Sequence, residues 1–133
     1  EAAPHPFYTR GFILHEEHHV PDLIARAYAH GNASEYLLVK GSKDYIVNSE
    51  GVQDIGESPV EESMEAIGGT GDTLTGIVAA LCAAGISVKE AAGLAARTNR
   101  LAGSYARPTP ATQVMEIIRY IPEALNVCMR KDQ

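Results

Sequence analysis

The chain has 133 residues, enough for one domain with a substantial core, and it carries a net charge of −6. Hydrophobic residues make up 45% of it and charged residues 21%, as in ordinary soluble globular proteins. The acidic balance argues against a nucleic-acid-binding protein, which would present a basic face. No apolar run reaches membrane-spanning length. Cys82 and Cys128 lie far apart without metal-binding spacing, so we expect free core thiols in a reducing, cytoplasmic compartment.

The first half of the chain predicts one helix followed by a small β-meander. After an irregular start, Pro21 begins a helix that ends at Gly31. Three short strands are predicted, at residues 36–39, 45–47 and 52–55. Gly41-Ser42 favours a two-residue hairpin turn, and residues 48–51 form a second turn. The acidic segment 57–65 is expected to be a solvated loop.

Three helices are predicted in the second half. The first spans about residues 71–84, has apolar side chains on one face, and stops at Gly85. The second opens with the capping box Ser87-Val88-Lys89-Glu90 and runs to about residue 104. The third has Thr109-Pro110 as its cap and first position. This order predicts an α/β fold in which a sheet edge is followed by packed helices.

The motif with the clearest chemistry is Gly68-Gly69-Thr70-Gly71-Asp72, immediately before an apolar helix. A helix start presents unpaired N–H groups and a partial positive charge, so it attracts phosphate. Glycines let the backbone approach that anion closely. Asp72 would repel phosphate, and two explanations remain open. It is either a general base for a hydroxyl that attacks a phosphoryl group, or an aspartate that pairs with the helix dipole.

The surrounding residues argue against three better-known motifs. No Lys-Ser or Lys-Thr follows the glycines, so this is not a P-loop. A dinucleotide fingerprint would need glycine where Leu74 stands. The run His15-Glu16-Glu17-His18-His19 matches the zinc-protease pattern HExxH, which must lie within a helix, but Pro21 follows it closely. We expect no metal site formed by protein residues and no stoichiometric zinc; adventitious metal binding by this exposed cluster is the alternative.

Several segments together resemble one enzyme family. The stretch from Gly68 to Val78 resembles the C-terminal signature of the ADP/ATP-dependent NAD(P)H-hydrate dehydratases, a branch of the ribokinase-like superfamily. Residues 38–44, Leu-Val-Lys-Gly-Ser-Lys-Asp, resemble the family's nucleotide-contacting Leu-Lys-Gly segment, and residues 112–125 resemble its last helix. Ala3-Pro4-His5-Pro6 resembles a Thr-Pro-His-Pro-Gly-Glu motif whose histidine lies at the hydrated nicotinamide, although Phe7-Tyr8 replace its Gly-Glu.

The resemblance implies a lyase of metabolite repair. ATP or ADP, with Mg²⁺, phosphorylates the hydroxyl of the hydrated nicotinamide ring, and loss of phosphate restores NADH or NADPH. The family assigns catalysis and contact with that hydroxyl to Asp72, and further substrate contact to His5. It assigns the nucleotide to Lys40, Gly41, Ser42, Lys43, Asp44, Gly69, Thr70 and Gly71. A solvated strand-end residue is the alternative for Lys40. Asn99 and Arg100 fall near the superfamily's adenine position, but an exposed polar helix face is the expectation for both.

The resemblance covers only the C-terminal half of the family's fold. Residues 1–133 are therefore expected to form a single, partial ribokinase-like region, either a piece of a longer chain or a shortened relative. Because the family's earlier strands and acceptor pocket are not represented, we expect association with an upstream half or with a second copy. Two alternative functions stay open. One is a carbohydrate kinase-like enzyme for a vitamin precursor or sugar, and the other is a non-catalytic nucleotide-binding module.

Overall fold

The computed structural model describes residues 25–26, 28–31, 33–41, 44–55 and 67–131. Within this part, the elements are β1 (Leu37–Val39), β2 (Tyr45–Asn48), β3 (Gly51–Asp54), α1 (Thr70–Ala83), α2 (Val88–Ala106), α3 (Val114–Ile118) and α4 (Ile121–Lys131). The predicted α/β order, a short meander followed by packed helices, is confirmed, as expected for a partial ribokinase-like fold. The predictions for His5, for residues 15–19, for Pro21, for segment 57–65 and for residues 42–43 lie outside the described residues.

The helix predicted before the meander is seen only at its end. Residues 25, 26, 28 and 29 are helical, and the N–H of Gly31 donates to the Tyr28 carbonyl at 3.0 Å. Gly31 has a φ of 67°, the left-handed conformation that commonly ends a helix. The predicted helix end at Gly31 is therefore confirmed.

The three strands form an antiparallel sheet in the order β1-β2-β3. The predicted turn between β2 and β3 is confirmed, because Asn48 Oδ1 accepts bonds from the N–H groups of Glu50 at 3.0 Å and Gly51 at 3.2 Å. The two-residue hairpin turn predicted at Gly41-Ser42 is wrong. Val39 pairs with Tyr45, so residues 40–44 form a five-residue connection.

Helix α1 follows the predicted pattern. It begins after Gly69 and is followed by Gly85, whose φ values are 93° and 92°, both left-handed. Its predicted inner face is buried at Leu74, Ile77 and Leu81.

Helix α2 starts with the predicted capping pair. Ser87 Oγ donates to Glu90 Oε2 at 2.6 Å and accepts the Glu90 N–H at 3.4 Å. Small side chains on this helix let α1 and α4 pack closely against it. The buried residues shared by these three helices are Leu74, Ile77, Leu81, Ala91, Leu94, Ala95, Ala96 and Cys128. Among them, Cys128 is a free thiol, as is the half-buried Cys82.

The third predicted helix is wrong in its start and in its continuity. Thr109 and Pro110 belong to a turn, in which the Thr112 N–H donates to the Thr109 carbonyl at 2.9 Å. Helix α3 begins after Gln113, and a turn separates it from α4. The break has a local cause, because Pro122 has no N–H to donate and its ring collides with the carbonyl four residues earlier in a continuous helix.

Candidate functional site

The glycine-rich turn opens α1 without any capping side chain. The first regular backbone bond runs from the Thr73 N–H to the Gly69 carbonyl, at 3.0 Å. The N–H groups at the preceding positions of the turn have no intrahelical carbonyl to bond, and no side chain in the described part of the chain caps them. Asp72 is exposed in the first turn. This helix start has the free donors and the positive end of the dipole that an anion requires.

The two central glycines have different reasons to be glycine. Gly69 has a φ of 93°, and a Cβ there would lie 3.4 Å from Val114 Cγ1. Gly71 has ordinary helical backbone, and a Cβ on it would meet no atom within 4 Å. Gly69 is therefore required by the backbone conformation, whereas Gly71 leaves free space beside the helix start.

Lys40 reaches this helix start from the end of β1. Its Nζ donates to Thr70 Oγ1 at 3.1 Å, and Thr70 is buried as the first residue of α1. Partial burial lowers the pKa of Lys40; the charge of Asp44 acts against this shift and that of Arg100 adds to it. The structure thus brings together two predicted nucleotide contacts, Lys40 and Thr70, that are 30 residues apart in the chain.

Asp44 and Arg100 form a buried ion pair. Asp44 is 2% exposed and Arg100 is 8% exposed. Arg100 donates to both carboxylate oxygens, from Nε to Oδ2 at 2.6 Å and from Nη2 to Oδ1 at 2.6 Å. Its Nη2 also donates to the Gly41 carbonyl at 2.6 Å. The exposed polar face expected at Arg100 is therefore wrong. A buried charge needs a partner, and the sequence pattern of α2 does not reveal that Asp44 supplies it.

Asn99 is the second correction on α2. It is 2% exposed, and its Nδ2 donates to the Thr70 carbonyl at 3.2 Å, so it faces the protein interior and the glycine turn. Its Oδ1 is buried without a hydrogen-bond partner, as is Thr98 Oγ1. Thr70 is consequently held by Lys40 through its hydroxyl and by Asn99 through its carbonyl.

A cavity of about 390 Å³ lies beside this turn, between β1 and the starts of α1 and α2. Its polar lining includes Lys40, Gly71 and Thr75. Its apolar lining includes Leu37, Leu38, Ile46, Leu74, Val78 and Val88. The glycine turn and the lysine therefore border one concave space.

Across its described ranges, the chain shows neither a metal-ligand cluster nor a membrane-spanning helix. There, the side chains do not bring three or more His, Cys, Asp or Glu residues together in a way that suits a metal ion. In the same ranges, every helix is too short or too polar to cross a membrane.

A family match and one of two similar proteins name the same family. Residues 12–123 match the family described as NAD(P)H-hydrate dehydratase. An uncharacterized protein of Methanocaldococcus jannaschii is 44% identical over 126 residues, which cover 94% of this chain and 54% of that protein. The bifunctional NAD(P)H-hydrate repair enzyme of Hyperthermus butylicus is 40% identical over 92 residues, which cover 68% of this chain and 17% of the enzyme.

The chain spans about half the length of the first of these relatives and a much smaller part of the second. No solved structure shows significant similarity to it. The glycine-aspartate turn, the lysine that faces it and the match over residues 12–123 lead to the same conclusion: this chain belongs to the NAD(P)H-hydrate dehydratase family.

Proposed function

We propose that this chain supplies the phosphate-donor side of an ADP/ATP-dependent NAD(P)H-hydrate dehydratase. The observation that carries the proposal is the uncapped start of α1, where the Lys40 ammonium lies 3.1 Å from Thr70 Oγ1. Backbone N–H groups at Gly69, Thr70 and Gly71 would bind the nucleotide phosphate. Lys40 would add a positive charge on the opposite side, as a compact ammonium does at many phosphate sites.

Asp72 is proposed as the general base. Its carboxylate is exposed in the first turn of α1, next to the space left free at Gly71. There it would accept the proton of the substrate hydroxyl as that oxygen bonds to the terminal phosphorus of the nucleotide. ADP or AMP would leave, and elimination of phosphate from the phosphorylated ring would regenerate the nicotinamide double bond.

The residues at the turn fit a Mg²⁺ ion that is carried by the nucleotide. Mg²⁺ keeps several waters and takes one or two carboxylates together with substrate phosphates, so a complete cage of protein ligands is not required. The nucleotide phosphates and water would hold the ion, which leaves the exposed Asp72 carboxylate free to act as the base. When bound, the ion would neutralise charge on the phosphates.

The remaining predicted contacts are proposals about the acceptor side and the loop. His5 would contact the hydrated nicotinamide, and Gly41, Ser42 and Lys43 would contact the nucleotide. Asp44 would act on the nucleotide through its loop, because its carboxylate is bonded to Arg100. We place this reaction in the cytoplasm.

We also propose that β1, which is at the edge of the described sheet, pairs with an upstream half of the enzyme or, without it, with a second copy. The acceptor hydroxyl must be held within near-attack distance of the phosphate for efficient transfer. The isolated chain should therefore be inactive on hydrated NADH, and adding the upstream half should restore activity. Recovery of NADH absorbance, measured beside a light-scattering mass, tests this. Full turnover by a monomer would place the substrate site elsewhere.

The phosphate site itself is tested by Gly71→Val. The branched side chain would fill the space where a phosphate must approach, so ATP and ADP affinity should fall by about tenfold or more. Gly76→Val is the matched control, since Gly76 lies in the same helix and a Cβ there also meets nothing within 4 Å. Calorimetry should find nucleotide affinity lost in the first variant and kept in the second. Equal affinity in both would remove the phosphate site from this turn.

A further inference from the structure

The Arg100 side chain ties both described ends of the connection between β1 and β2, Gly41 and Asp44, to helix α2. Arg100 donates to both oxygens of Asp44 and to the carbonyl of Gly41, each at 2.6 Å. The Gly41 N–H in turn donates to Asp44 Oδ1 at 3.2 Å. Both peptide groups that flank Gly41 are thus anchored, one through its carbonyl and one through its N–H.

Lys40 immediately precedes this anchored residue. Its side chain is long and has many rotamers, so the region that its ammonium can reach depends on where the backbone of residue 40 is held. The position seen here is 3.1 Å from Thr70 Oγ1. Asn99, the neighbour of Arg100 in α2, binds the Thr70 carbonyl at 3.2 Å. Two adjacent residues of one helix therefore hold both partners of the Lys40–Thr70 contact.

We propose that Arg100 is a positioning residue: by tying Gly41 and Asp44 to α2, it holds the Lys40 ammonium at the start of α1. The inference rests on the proposed phosphate site, because that site gives the position of Lys40 its purpose. Arg100 itself need not touch the nucleotide. Its effect on binding passes through Lys40.

The energetics of buried ion pairs favour a geometric role. Desolvation of Asp44 and Arg100 offsets much of their attraction, so such pairs often stabilise a fold no better than apolar residues of similar size. Arginine is suited to this place because its planar fork reaches two carboxylate oxygens and a carbonyl at once. What the pair supplies is a fixed position for Gly41 and Asp44 relative to α2, which an apolar replacement would not reproduce.

The first test is the titration of Lys40 in the chain without nucleotide, followed by NMR of its side chain. The double variant Arg100→Met/Asp44→Leu removes two charges with opposite effects on the pKa of Lys40, and it avoids leaving a lone buried charge. If Arg100 holds the lysine in place, the pKa of Lys40 should rise toward 10.5 as its ammonium becomes hydrated. A pKa that stays lowered in a folded double variant overturns the proposal.

Two further variants complete this titration. Arg119→Met removes an exposed arginine of the same chain and should leave the pKa of Lys40 unchanged. Arg100→Lys keeps the positive charge but lacks the planar fork whose two nitrogens reach both Asp44 oxygens and the Gly41 carbonyl. In this variant the pKa of Lys40 should rise although no charge is lost. It therefore decides whether Arg100 positions Lys40 even if the double variant does not fold.

The second test measures ADP affinity by calorimetry in a mutant cycle. Lys40→Met should weaken binding by about tenfold in the parent chain, as expected for a charged hydrogen bond to phosphate. In the Arg100→Met/Asp44→Leu background, the same change should alter affinity by less than about twofold, because the lysine is already displaced. A tenfold loss in both backgrounds means that Arg100 does not act through Lys40.

The two tests separate this inference from the proposed function. A parent chain that does not bind ADP contradicts the phosphate site, but the nucleotide-free titration still decides whether Arg100 positions Lys40. Normal ADP binding with an unchanged titration contradicts only the role of Arg100.

Discussion

Helices α1 and α2 begin in opposite ways, although both follow a short turn. At α2, Ser87 Oγ and Glu90 bond to each other, with contacts at 2.6 Å and 3.4 Å, and so close the helix start. At α1, the residue before the helix is Gly69, which has a left-handed φ of 93° and no side chain to cap anything. The chain caps the start of α2 with its own side chains, whereas the N–H donors at the start of α1 stay available to a ligand.

The start of α3 supports the same distinction. There the Gln113 N–H donates to Glu116 Oε2 at 2.7 Å, so this short helix is also closed by its own side chain. A capped start has its donors satisfied and its dipole partly neutralised, and it has little to offer an anion. The family's glycine-aspartate motif stands at α1, where the start lacks a cap. The contrast predicts that changes at the start of α1 affect binding and turnover, whereas changes at the start of α2 affect only stability.

The largest effect should come from Asp72→Asn in the complete enzyme. Loss of the proposed base should lower turnover by about a hundredfold or more. Nucleotide affinity should stay the same or rise, because a charge that repels phosphate is removed. The assay is recovery of NADH absorbance from hydrated NADH with ATP or ADP.

Glu90→Gln is the control for that variant. It makes the same chemical change at the corresponding turn of α2, and turnover should remain within about twofold of the parent. If Asp72→Asn retains turnover, Asp72 only pairs with the helix dipole.

The next largest effect concerns the fold at the two glycines of α1. Gly69→Ala forces a left-handed residue and brings a Cβ to 3.4 Å from Val114, so the free energy of unfolding should fall by about 1–2 kcal/mol. Gly76→Ala lies in the helix interior, where nothing would contact the new Cβ, and should raise it by about 0.5–1 kcal/mol. Urea unfolding of both variants checks the opposite signs. Similar changes in the free energy of unfolding for the two variants would mean that the backbone at position 69 does not require glycine.

A smaller effect is expected at the start of α2. Ser87→Ala removes the cap and should cost about 1 kcal/mol of unfolding free energy. The affinity for ADP should not change, because the phosphate site is proposed at the other helix. Urea unfolding and calorimetry on the same sample give both numbers. Weaker ADP binding in Ser87→Ala would break the division between the two helix starts.

The smallest effect is a pH dependence of stability at Lys40. Its pKa in the folded protein is lowered below the 10.5 of the unfolded chain, so the unfolded state binds more protons between those two values. The free energy of unfolding from Lys40 should therefore rise with pH through that window and be lowest below the folded pKa. Urea unfolding at several alkaline pH values should show this rise in the parent and in Ser87→Ala. Lys40→Met should lack it, and an unchanged slope there would assign the rise to another group.

Local sequence signals predicted the parts of the fold that depend on neighbouring residues. The apolar spacing of α1, the Ser87–Glu90 pair and the ends at Gly31 and Gly85 are all confirmed. Each depends on contacts within about one helical turn, and one side chain or one φ value is enough to produce it. The glycine-aspartate turn was recognised for the same reason, since its residues are contiguous. Its role in catalysis stays a prediction.

Tertiary structure decided the features that join distant parts of the chain. A five-residue connection at 40–44 replaces the expected tight turn, and Asp44 at its end is bonded to Arg100, 56 residues later. The contact of Lys40 with Thr70, and the burial of Asn99, likewise depend on how β1 and α2 pack around the start of α1. From the sequence alone, a charged residue in an alanine-rich helix is expected to belong to a solvated face. Only the fold shows which charge has a buried partner, because that partner comes from a distant segment.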